Sequence, residues 1–272
     1  MKKKKNSSPL WIFLSGLLAG GVVWFLLFAF VLSDLKTVSN QLDDFSPPLT
    51  TRIYDIEGRL LAELFTENRE YVELSQVPDL LKKAFIASED QNFYRHPGID
   101  PGGIIRAALQ NLINMDIVEG ASTITQQLSR NLFLSHQRTW KRKIQEMFLA
   151  FTLEKKYTKN EILEAYLNQI YFGHGAYGVK AAARIYFGKN LEELNLAEIA
   201  MLTGVARSPG NFSPYVDLAT AQRQQRRVLR SMKEMRFISQ EHLEEALSTP
   251  IVLSGREKNR SIAPYFVDYL LK

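Results

Sequence analysis

The hydrophobic pattern of the chain changes character along its length. Residues 10–32 form an apolar run without an ionisable side chain, and at about 1.5 Å rise per residue one helix of this length spans a bilayer. Residues 33–50 are polar and end in Ser46-Pro47-Pro48, which is typical of a stalk. From about residue 75 to 248, apolar positions recur at helical spacing, which predicts a mainly α domain.

Local signals mark the ends of the predicted elements. Within residues 51–74, two short apolar segments flank Glu57-Gly58-Arg59, which predicts a small N-terminal β-hairpin. Pro78 and the Asp100-Pro101 pair are typical of helix starts, and Thr158 with Glu161 has the spacing of a capping box. Further helix starts are predicted at Asn195, Asp217 and Ser239. Residues 249–272 are predicted to be a C-terminal linker.

The distribution of charge favours a membrane anchor. The chain has 34 Lys and Arg against 29 Asp and Glu, but Lys2 to Lys5 lie in the basic tail of residues 1–9, so the remainder is close to neutral. This disfavours a nucleic-acid partner. Lysines before the apolar run predict a single-pass anchor with the domain outside the cytoplasmic membrane, whereas a cleaved signal peptide would have a shorter apolar region. The absence of cysteine excludes thiol chemistry and disulfides.

Glu89 is the first candidate for chemistry. At helical spacing it follows Leu81 and Phe85 on one stripe, which places a carboxylate on an apolar face. Burial there would disfavour the charged form and make the group a better general base. The alternative is that the helix simply ends here, with Glu89 and Asp90 in solvent.

The second candidate is the polar segment from Gly120 to Gln127, a turn that leads into a helix. Hydroxyl and amide side chains at a helix start suit the binding of sugars and anions. The alternative is ordinary capping, which would need only Thr123 and Gln126.

A basic cluster opens the following helix, at Arg138, Lys141, Arg142 and Lys143. Cations at a helix N-terminus oppose the macrodipole, so stability does not explain them, whereas an anionic ligand does. With Glu146 at spacing four from Arg142, the cluster could hold a diphosphate or a metal–diphosphate. A solvated charged face is the alternative. The same helix carries an apolar stripe of Trp140, Ile144, Met147, Phe148 and Phe151. The run of Phe148, Leu149, Phe151 and Leu153 is expected to face the core.

Taken together, these segments resemble the signature motifs of the peptidoglycan glycosyltransferases, glycosyltransferase family 51. The similarity lies in Glu89-Asp90-x-x-Phe93-x-x-His96-x-Gly98, in Gly120-x-Ser122-Thr123-Ile124-Thr125-Gln126-Gln127, in Arg142-Lys143-x-x-Glu146 and in Ile162 to Asn168, and it extends to Tyr186 to Pro209. The hairpin and the segment Ala263 to Val267 resemble the N-terminal part of a bifunctional class A penicillin-binding protein. The resemblance implies a lysozyme-like helical domain that polymerises lipid II into a glycan strand.

The resemblance also implies roles for individual residues. Glu89 would be the catalytic base, and Glu146 would act on the donor side as a catalytic residue and a ligand of a divalent cation, Mg or Mn. The family usually has Lys where this chain has Arg130. The ammonium group of Lys contacts an anion as a point charge, whereas the planar guanidinium of Arg can donate two parallel hydrogen bonds to it. The implied substrate-binding residues are Asp90, Phe93, His96, Ser122, Thr123, Gln126, Gln127, Arg130, Arg138, Arg142, Lys143 and Asn168.

Two other functions are compatible with the sequence. A lytic transglycosylase or lysozyme-type hydrolase would also use a glutamate on a similar scaffold but needs no diphosphate site, and a non-enzymatic membrane partner of a wall-synthesis complex needs neither. The Ser33-x-x-Lys36 match to a transpeptidase motif lies against the predicted anchor and no Lys-Thr-Gly sequence is present, so no transpeptidase activity is expected. The expected protein partner is a separate transpeptidase or another member of a wall-synthesis complex.

Overall fold

The structure, a computed structural model, describes residues 51–54, 56–57, 60–64, 68–114, 120, 122–134 and 139–255, together with six positions between 13 and 22. Those six positions have helical backbone. The rest of the predicted membrane anchor, the basic tail, the stalk and the linker beyond residue 255 lie outside the described residues. Among the residues that are described, no helix has both the length and the apolar character needed to cross a membrane.

Two small sheets surround the start of the domain. Strands β1 (Thr51–Tyr54) and β2 (Leu60–Leu64) pair antiparallel, which confirms the predicted hairpin. A second sheet, which the sequence did not predict, has the order β3-β5-β4, with β3 at Asn68–Arg69, β4 at Tyr171–Gly173 and β5 at Ala176–Tyr177. We call residues 51–74 the lead-in segment. Since β3 pairs parallel with β5, the end of this segment is joined to the main domain.

The described chain after residue 78 is mainly helical, as predicted. The helices are α1 (Asp79–Glu89), α2 (Pro101–Asn114), α3 (Ile124–Phe133), α4 (Trp140–Lys156), α5 (Lys159–Gln169), α6 (Val179–Phe187), α7 (Leu196–Ala206), α8 (Pro209–Phe212), α9 (Leu218–Glu234) and α10 (Gln240–Ser248). Short 3-10 turns occur at Leu74–Gln76 and Leu191–Glu193.

Side-chain caps determine where several helices begin. Thr158 accepts a hydrogen bond from the Glu161 amide while the Glu161 carboxylate accepts one from the Thr158 amide, so the predicted capping box is present. Asn195, Asp217 and Ser239 also cap their helices as predicted. Each cap provides partners for backbone groups that the helix itself leaves unpaired.

The core is built around α7, which is buried on all sides from Ala197 to Ala206. It packs between α1 and α9, and these three helices contribute large buried side chains such as Leu81, Phe85 and Leu229. A helix that is apolar around its whole circumference requires this central position. The C-terminal end of α1, where Glu89 lies, is therefore anchored in the best-packed part of the domain.

The prediction that Phe148, Leu149, Phe151 and Leu153 of α4 face the core is wrong for Phe148 and Phe151. Trp140, Ile144, Phe148 and Phe151 are exposed, with Trp140 at 88%. The buried face instead contains Gln145, Glu146, Leu149, Ala150 and Leu153, so the expectation is correct only for Leu149 and Leu153. Helical periodicity defines an apolar face but does not say whether protein covers it, and here the acidic Glu146 lies on the covered side.

Gly178 gives a direct test of the packing between β5 and α5. Its φ is +82°, and an added Cβ would lie 2.9 Å from the carbonyl oxygen of Asn168. We expect Gly178→Ala to lower the free energy of unfolding by about 2–3 kcal/mol, measured by chemical denaturation. Gly210 lies in open space with no such φ, so Gly210→Ala should change stability by at most about 0.5 kcal/mol. Equal effects of the two substitutions would contradict the packing.

Candidate active site

A polar cleft of about 200 Å³ opens where α1 ends and α3 begins. Because α1 is anchored against α7, the cleft has one rigid wall. The side chains around it include both carboxylates and guanidinium groups. The guanidinium groups suit an acidic group of a ligand, and the carboxylates suit its hydroxyl groups. Its lining consists of Ser88, Glu89, Asp90, Gln91, Asp100, Gly103, Arg106, Gly120, Ser122, Thr123, Gln127, Arg130 and Arg207.

Glu89 is the last residue of α1 and is half-buried in this cleft. Gln127 donates a hydrogen bond from Nε2 to Glu89 Oε2 at 2.9 Å, and Ser88 donates from Oγ to Oε1 at 3.3 Å. The fully buried Tyr166 donates in turn from its hydroxyl to Gln127 Oε1 at 3.3 Å. Tyr166 and Gln127 thus hold Oε2 of Glu89 through a chain of hydrogen bonds, and Ser88 contacts Oε1. These contacts keep the Glu89 carboxylate on the wall of the cleft.

The protonation state of Tyr166 supports the direction of this chain. Burial raises the pKa of Tyr166 well above its usual value, and the negative charge of Glu89 raises it further. The hydroxyl therefore keeps its proton and donates to Gln127, whose amide group is thereby oriented with its NH2 towards Glu89. Tyr166 acts as a positioning residue for the carboxylate.

We expect Tyr166→Phe to reduce turnover without unfolding the protein. Loss of one hydrogen bond of about 1 kcal/mol would leave Gln127 free to rotate and lower kcat by about fivefold, with little change in KM. The measurement is the steady-state rate of the catalysed reaction together with thermal unfolding. As a control, Tyr157→Phe removes a hydroxyl that lies outside the cleft lining and should leave kcat unchanged. An unchanged kcat in Tyr166→Phe would contradict the positioning role.

Asp90 faces away from solvent and joins two loops. Its carboxylate lies 2.9 and 3.0 Å from His96 Nε2 and accepts a hydrogen bond at 3.0 Å from the Ile124 amide at the start of α3. The Gly98 amide donates to His96 Nδ1 at 3.1 Å, which places the ring proton on Nε2. Asp90 and His96 therefore connect the end of α1 to the start of α3 and fix the position of Glu89 between them.

The predicted polar turn before α3 divides into capping and cleft residues. Thr123 and Gln126 form the reciprocal capping box, and Thr123 Oγ1 also donates to the Gly98 carbonyl at 2.6 Å. Ser122, Thr123 and Gln127 line the cleft, whereas Gln126 is buried within the cap and is not part of the lining. Both interpretations of this segment are thus realised, and Thr123 takes part in both.

Two other residues implied by the motifs are structural in this arrangement. Phe93 is fully buried beside His96, with Lys159 Nζ 4.5 Å from its ring centroid. Asn168 is buried and exchanges two hydrogen bonds of 2.9 Å with the backbone of Val72. Asn168 therefore attaches the lead-in segment to α5, and neither residue lines the cleft.

Glu146 lies on the buried face of α4 and is 1% exposed. Lys143 Nζ is 2.5 Å from Oε1 and Arg142 Nη1 is 3.2 Å from Oε2, so both carboxylate oxygens are paired with cations. Lys143 also donates to Ser122 Oγ at 2.9 Å. Ser122 lines the cleft, whereas Arg142, Lys143 and Glu146 do not. The cluster of these three residues therefore lies behind the cleft wall, one hydrogen bond away from Ser122.

The donor set around Glu146 does not fit a metal site. Its two oxygens face ammonium and guanidinium groups, and the described residues contain no group of three acidic or histidine side chains that could hold a metal ion. The same cluster fits an anion better, because Arg142 Nε is buried and has no hydrogen-bond partner within the described part of the chain. The divalent cation stays a prediction, and no catalytic step below depends on it.

The cleft also contains residues that sequence reasoning missed. Arg106 on α2 and Arg207 at the end of α7 line it together with the predicted Arg130. Hydrogen bonds from the Gly103 amide and Asn92 outweigh partial burial and hold the pKa of Asp100 below its usual value. Arg106 lies outside the motifs quoted above, and Arg207 lies within the segment Tyr186 to Pro209 but was not singled out there. Arg138, which was predicted to join the basic cluster, lies outside the described residues.

Comparison with known proteins shows the family of this chain. The family model described as transglycosylase matches residues 57–233, more than half of the chain. Penicillin-binding protein 1A of Aquifex aeolicus is 43% identical over 227 residues, which are 84% of this chain and 31% of that protein. Penicillin-binding protein 2D of Bacillus subtilis is 43% identical over 228 residues, which are 83% of this chain and 33% of that protein.

A solved structure is also similar. The crystal structure of penicillin-binding protein 1A from Haemophilus influenzae aligns with a TM-score of 0.48 and 25% identity, over 84% of this chain and 24% of that chain. The chain spans about a third of the length of the curated relatives named above. The chain belongs to the transglycosylase family and carries a peptidoglycan glycosyltransferase domain of the kind found in class A penicillin-binding proteins.

Proposed function

We propose that the domain polymerises lipid II into β-1,4-linked glycan strands with release of undecaprenyl diphosphate. The observation that carries this proposal is the position of Glu89, a half-buried carboxylate held by Gln127 in a cleft that also contains Arg130. A carboxylate fixed in this way can accept a proton, while a nearby guanidinium can receive negative charge.

Glu89 acts as the general base in the proposed reaction. It accepts the proton of the 4-hydroxyl of the acceptor N-acetylglucosamine, and that oxygen forms a bond to the anomeric carbon of the donor N-acetylmuramic acid. The bond between this carbon and the diphosphate oxygen breaks on the opposite face, so the configuration inverts. The electron pair of the broken bond leaves with the lipid diphosphate.

The departing diphosphate requires positive charge on the donor side. Arg130 lines the cleft, and the cluster of Arg142, Lys143 and Glu146 lies one hydrogen bond behind it through Ser122. In the proposal Glu146 keeps its two neighbouring cations in place, and their positive charge stabilises the diphosphate from behind the cleft wall. The role of Glu146 is therefore to organise the anion site.

Exposed apolar residues support a reaction at the membrane surface. On α2, Ile105 and Leu112 are 62% and 74% exposed, and on α4 Trp140 and Phe148 are also exposed. Exposed apolar residues that share one face of a helix, as Ile105 and Leu112 do on α2, are typical of a protein or membrane contact. We propose that the domain works on the outer face of the cytoplasmic membrane, where its lipid-linked substrates are, together with a separate transpeptidase.

The test is incubation of the detergent-solubilised chain with labelled lipid II, analysed by gel. The proposal predicts a ladder of glycan products that moenomycin, the inhibitor expected for this family, abolishes. Digestion of isolated cell wall without any polymer from lipid II would instead indicate the lytic enzyme. Absence of both reactions would contradict an enzymatic role for this chain.

A further inference from the structure

A second cavity of about 630 Å³ lies next to the candidate active site. It is formed by one flank of α1, the segment after α1 and the turn that follows α9. We call it the Lys82–Arg95 groove, and its main polar and aromatic residues are Lys82, Lys83, Gln91, Tyr94, Arg95 and Phe237. It is about three times as large as the cleft that contains Glu89 and within the range of ligand sites.

The groove has an excess of positive charge. The Nζ atoms of Lys83 and Lys82 lie 2.7 and 3.7 Å from the carboxylate oxygens of Asp79, so two ammonium groups share one carboxylate. The Lys83 contact is an ordinary pair within one helix turn, which explains Lys83 as a stabilising residue. Arg95 is exposed and forms no ion pair with any residue that the structure describes. One carboxylate balances the charge of only one of these two lysines, so the pairing within α1 leaves one ammonium charge and the charge of Arg95 unbalanced.

Aromatic and amide side chains accompany these cations. Tyr94 is 54% exposed, and Phe237 lies beneath Lys83 with the ammonium 5.9 Å from its ring centroid. Asn160 accepts a hydrogen bond from the Tyr94 hydroxyl at 3.4 Å. An exposed aromatic ring offers an apolar face to a sugar ring, while amide groups both donate to and accept from hydroxyls. Added cations extend this recognition to carboxylates.

The groove and the active-site cleft share a wall. Gln91 lines both cavities, two residues after Glu89. Asn92 lines the groove and donates a hydrogen bond of 2.9 Å to Asp100, which lines the cleft. One extended molecule can therefore contact both cavities, and a linear polymer is the ligand class that fits.

We propose that the Lys82–Arg95 groove binds a glycan strand that carries free carboxylates on its peptide side chains, at sugars distant from the reacting end. A sugar ring packs on Tyr94, and peptide carboxylates pair with Lys82 and Arg95. The identification of this ligand depends on the proposed polymerisation of lipid II. The groove would hold the polymer while its end reacts in the cleft.

The experiment measures binding to the full chain in detergent with the cleft saturated by moenomycin. A soluble peptide-bearing tetrasaccharide from cell-wall digestion is titrated by calorimetry, with chitotetraose as the neutral probe. The variant Lys82→Gln/Arg95→Gln should weaken binding of the acidic tetrasaccharide at least tenfold and shorten the glycan products. The matched control Arg226→Gln/Arg230→Gln removes the same charge from the exposed face of α9 and should change the affinity by less than twofold.

A second variant distinguishes loss of binding from loss of fold. If the double variant unfolds at a lower temperature, Tyr94→Ala, which removes an exposed ring, should still weaken binding of both tetrasaccharides. The inference is overturned if the acidic tetrasaccharide does not bind the moenomycin-saturated chain, if the control variant weakens it equally, or if the variants lose affinity only for anionic lipid vesicles. If lipid II is polymerised but no second binding event occurs, this inference alone fails. If no polymer forms, the proposed function fails.

Discussion

Glu89→Gln is expected to reduce glycan synthesis by about a thousandfold, the middle of the range for loss of a general base. The amide has nearly the shape of the carboxylate but cannot accept the sugar proton at neutral pH. Stability should be nearly unchanged, because Glu89 is only half-buried at the end of α1. The measurement is the initial rate of lipid II consumption, with thermal unfolding recorded on the same preparation.

An exposed glutamate provides the matched control. Glu192→Gln makes the same chemical change on the surface, away from the residues that line the cleft, and should retain the full rate. Retention of more than about a tenth of the activity by Glu89→Gln would exclude this residue as the base.

Glu146→Gln should affect both stability and activity. The change leaves Arg142 and Lys143 close together without their shared carboxylate. Removing one partner of a buried ion pair costs about 3–5 kcal/mol, and because Lys143 is 36% exposed we expect about 2–3 kcal/mol of unfolding free energy. Turnover should fall by about a hundredfold, since the anion site loses its fixed geometry. Chemical denaturation and initial rates measure the two effects.

A double variant separates charge repulsion from a missing contact. Lys143→Met in the Glu146→Gln background removes the excess cation, so about half of the lost stability should return while activity stays low. If Glu146→Gln alone keeps full stability and full activity, the carboxylate does not organise Arg142 and Lys143.

Local features of the fold could be predicted because they depend on neighbouring residues. The capping boxes at Thr158 and Asn195 follow from side chains three positions apart, and the β-hairpin follows from a turn between two apolar segments. The pairing of β3 with β5 could not be found in this way, because the strands are about a hundred residues apart and only two residues long.

The exposed face of α4 shows a second limit. The apolar residues of this helix were identified from sequence, but Phe148 and Phe151 were assigned to the core although both are exposed. An apolar stripe has the same sequence pattern whether protein or another apolar surface covers it. Only the packing of α4 against α3 shows that Glu146 lies on the covered side.

The candidate site was predicted only as far as its motifs extend. Glu89, Ser122 and Arg130 were identified from sequence and line one cleft. Arg106 also lines it but lies outside the motifs, and Arg207 was not singled out within its segment. Motif membership also cannot separate residues that line a cleft from those that support it. Gln126, Phe93 and Asn168 belong to the motifs but are buried. Gln126 takes part in a helix cap, Phe93 packs in the core, and Asn168 bonds to the backbone of Val72.

The central claim is that Glu89 performs proton transfer while the cations around the cleft bind the leaving diphosphate. The most direct test compares the affinity for undecaprenyl diphosphate with turnover in two variants, Glu89→Gln and Arg142→Gln. The account predicts that Glu89→Gln binds the diphosphate within about threefold of the unmodified chain while polymerising almost nothing, and that Arg142→Gln loses at least tenfold in diphosphate affinity. Equal loss of diphosphate affinity in both variants, or none in Arg142→Gln, would contradict it.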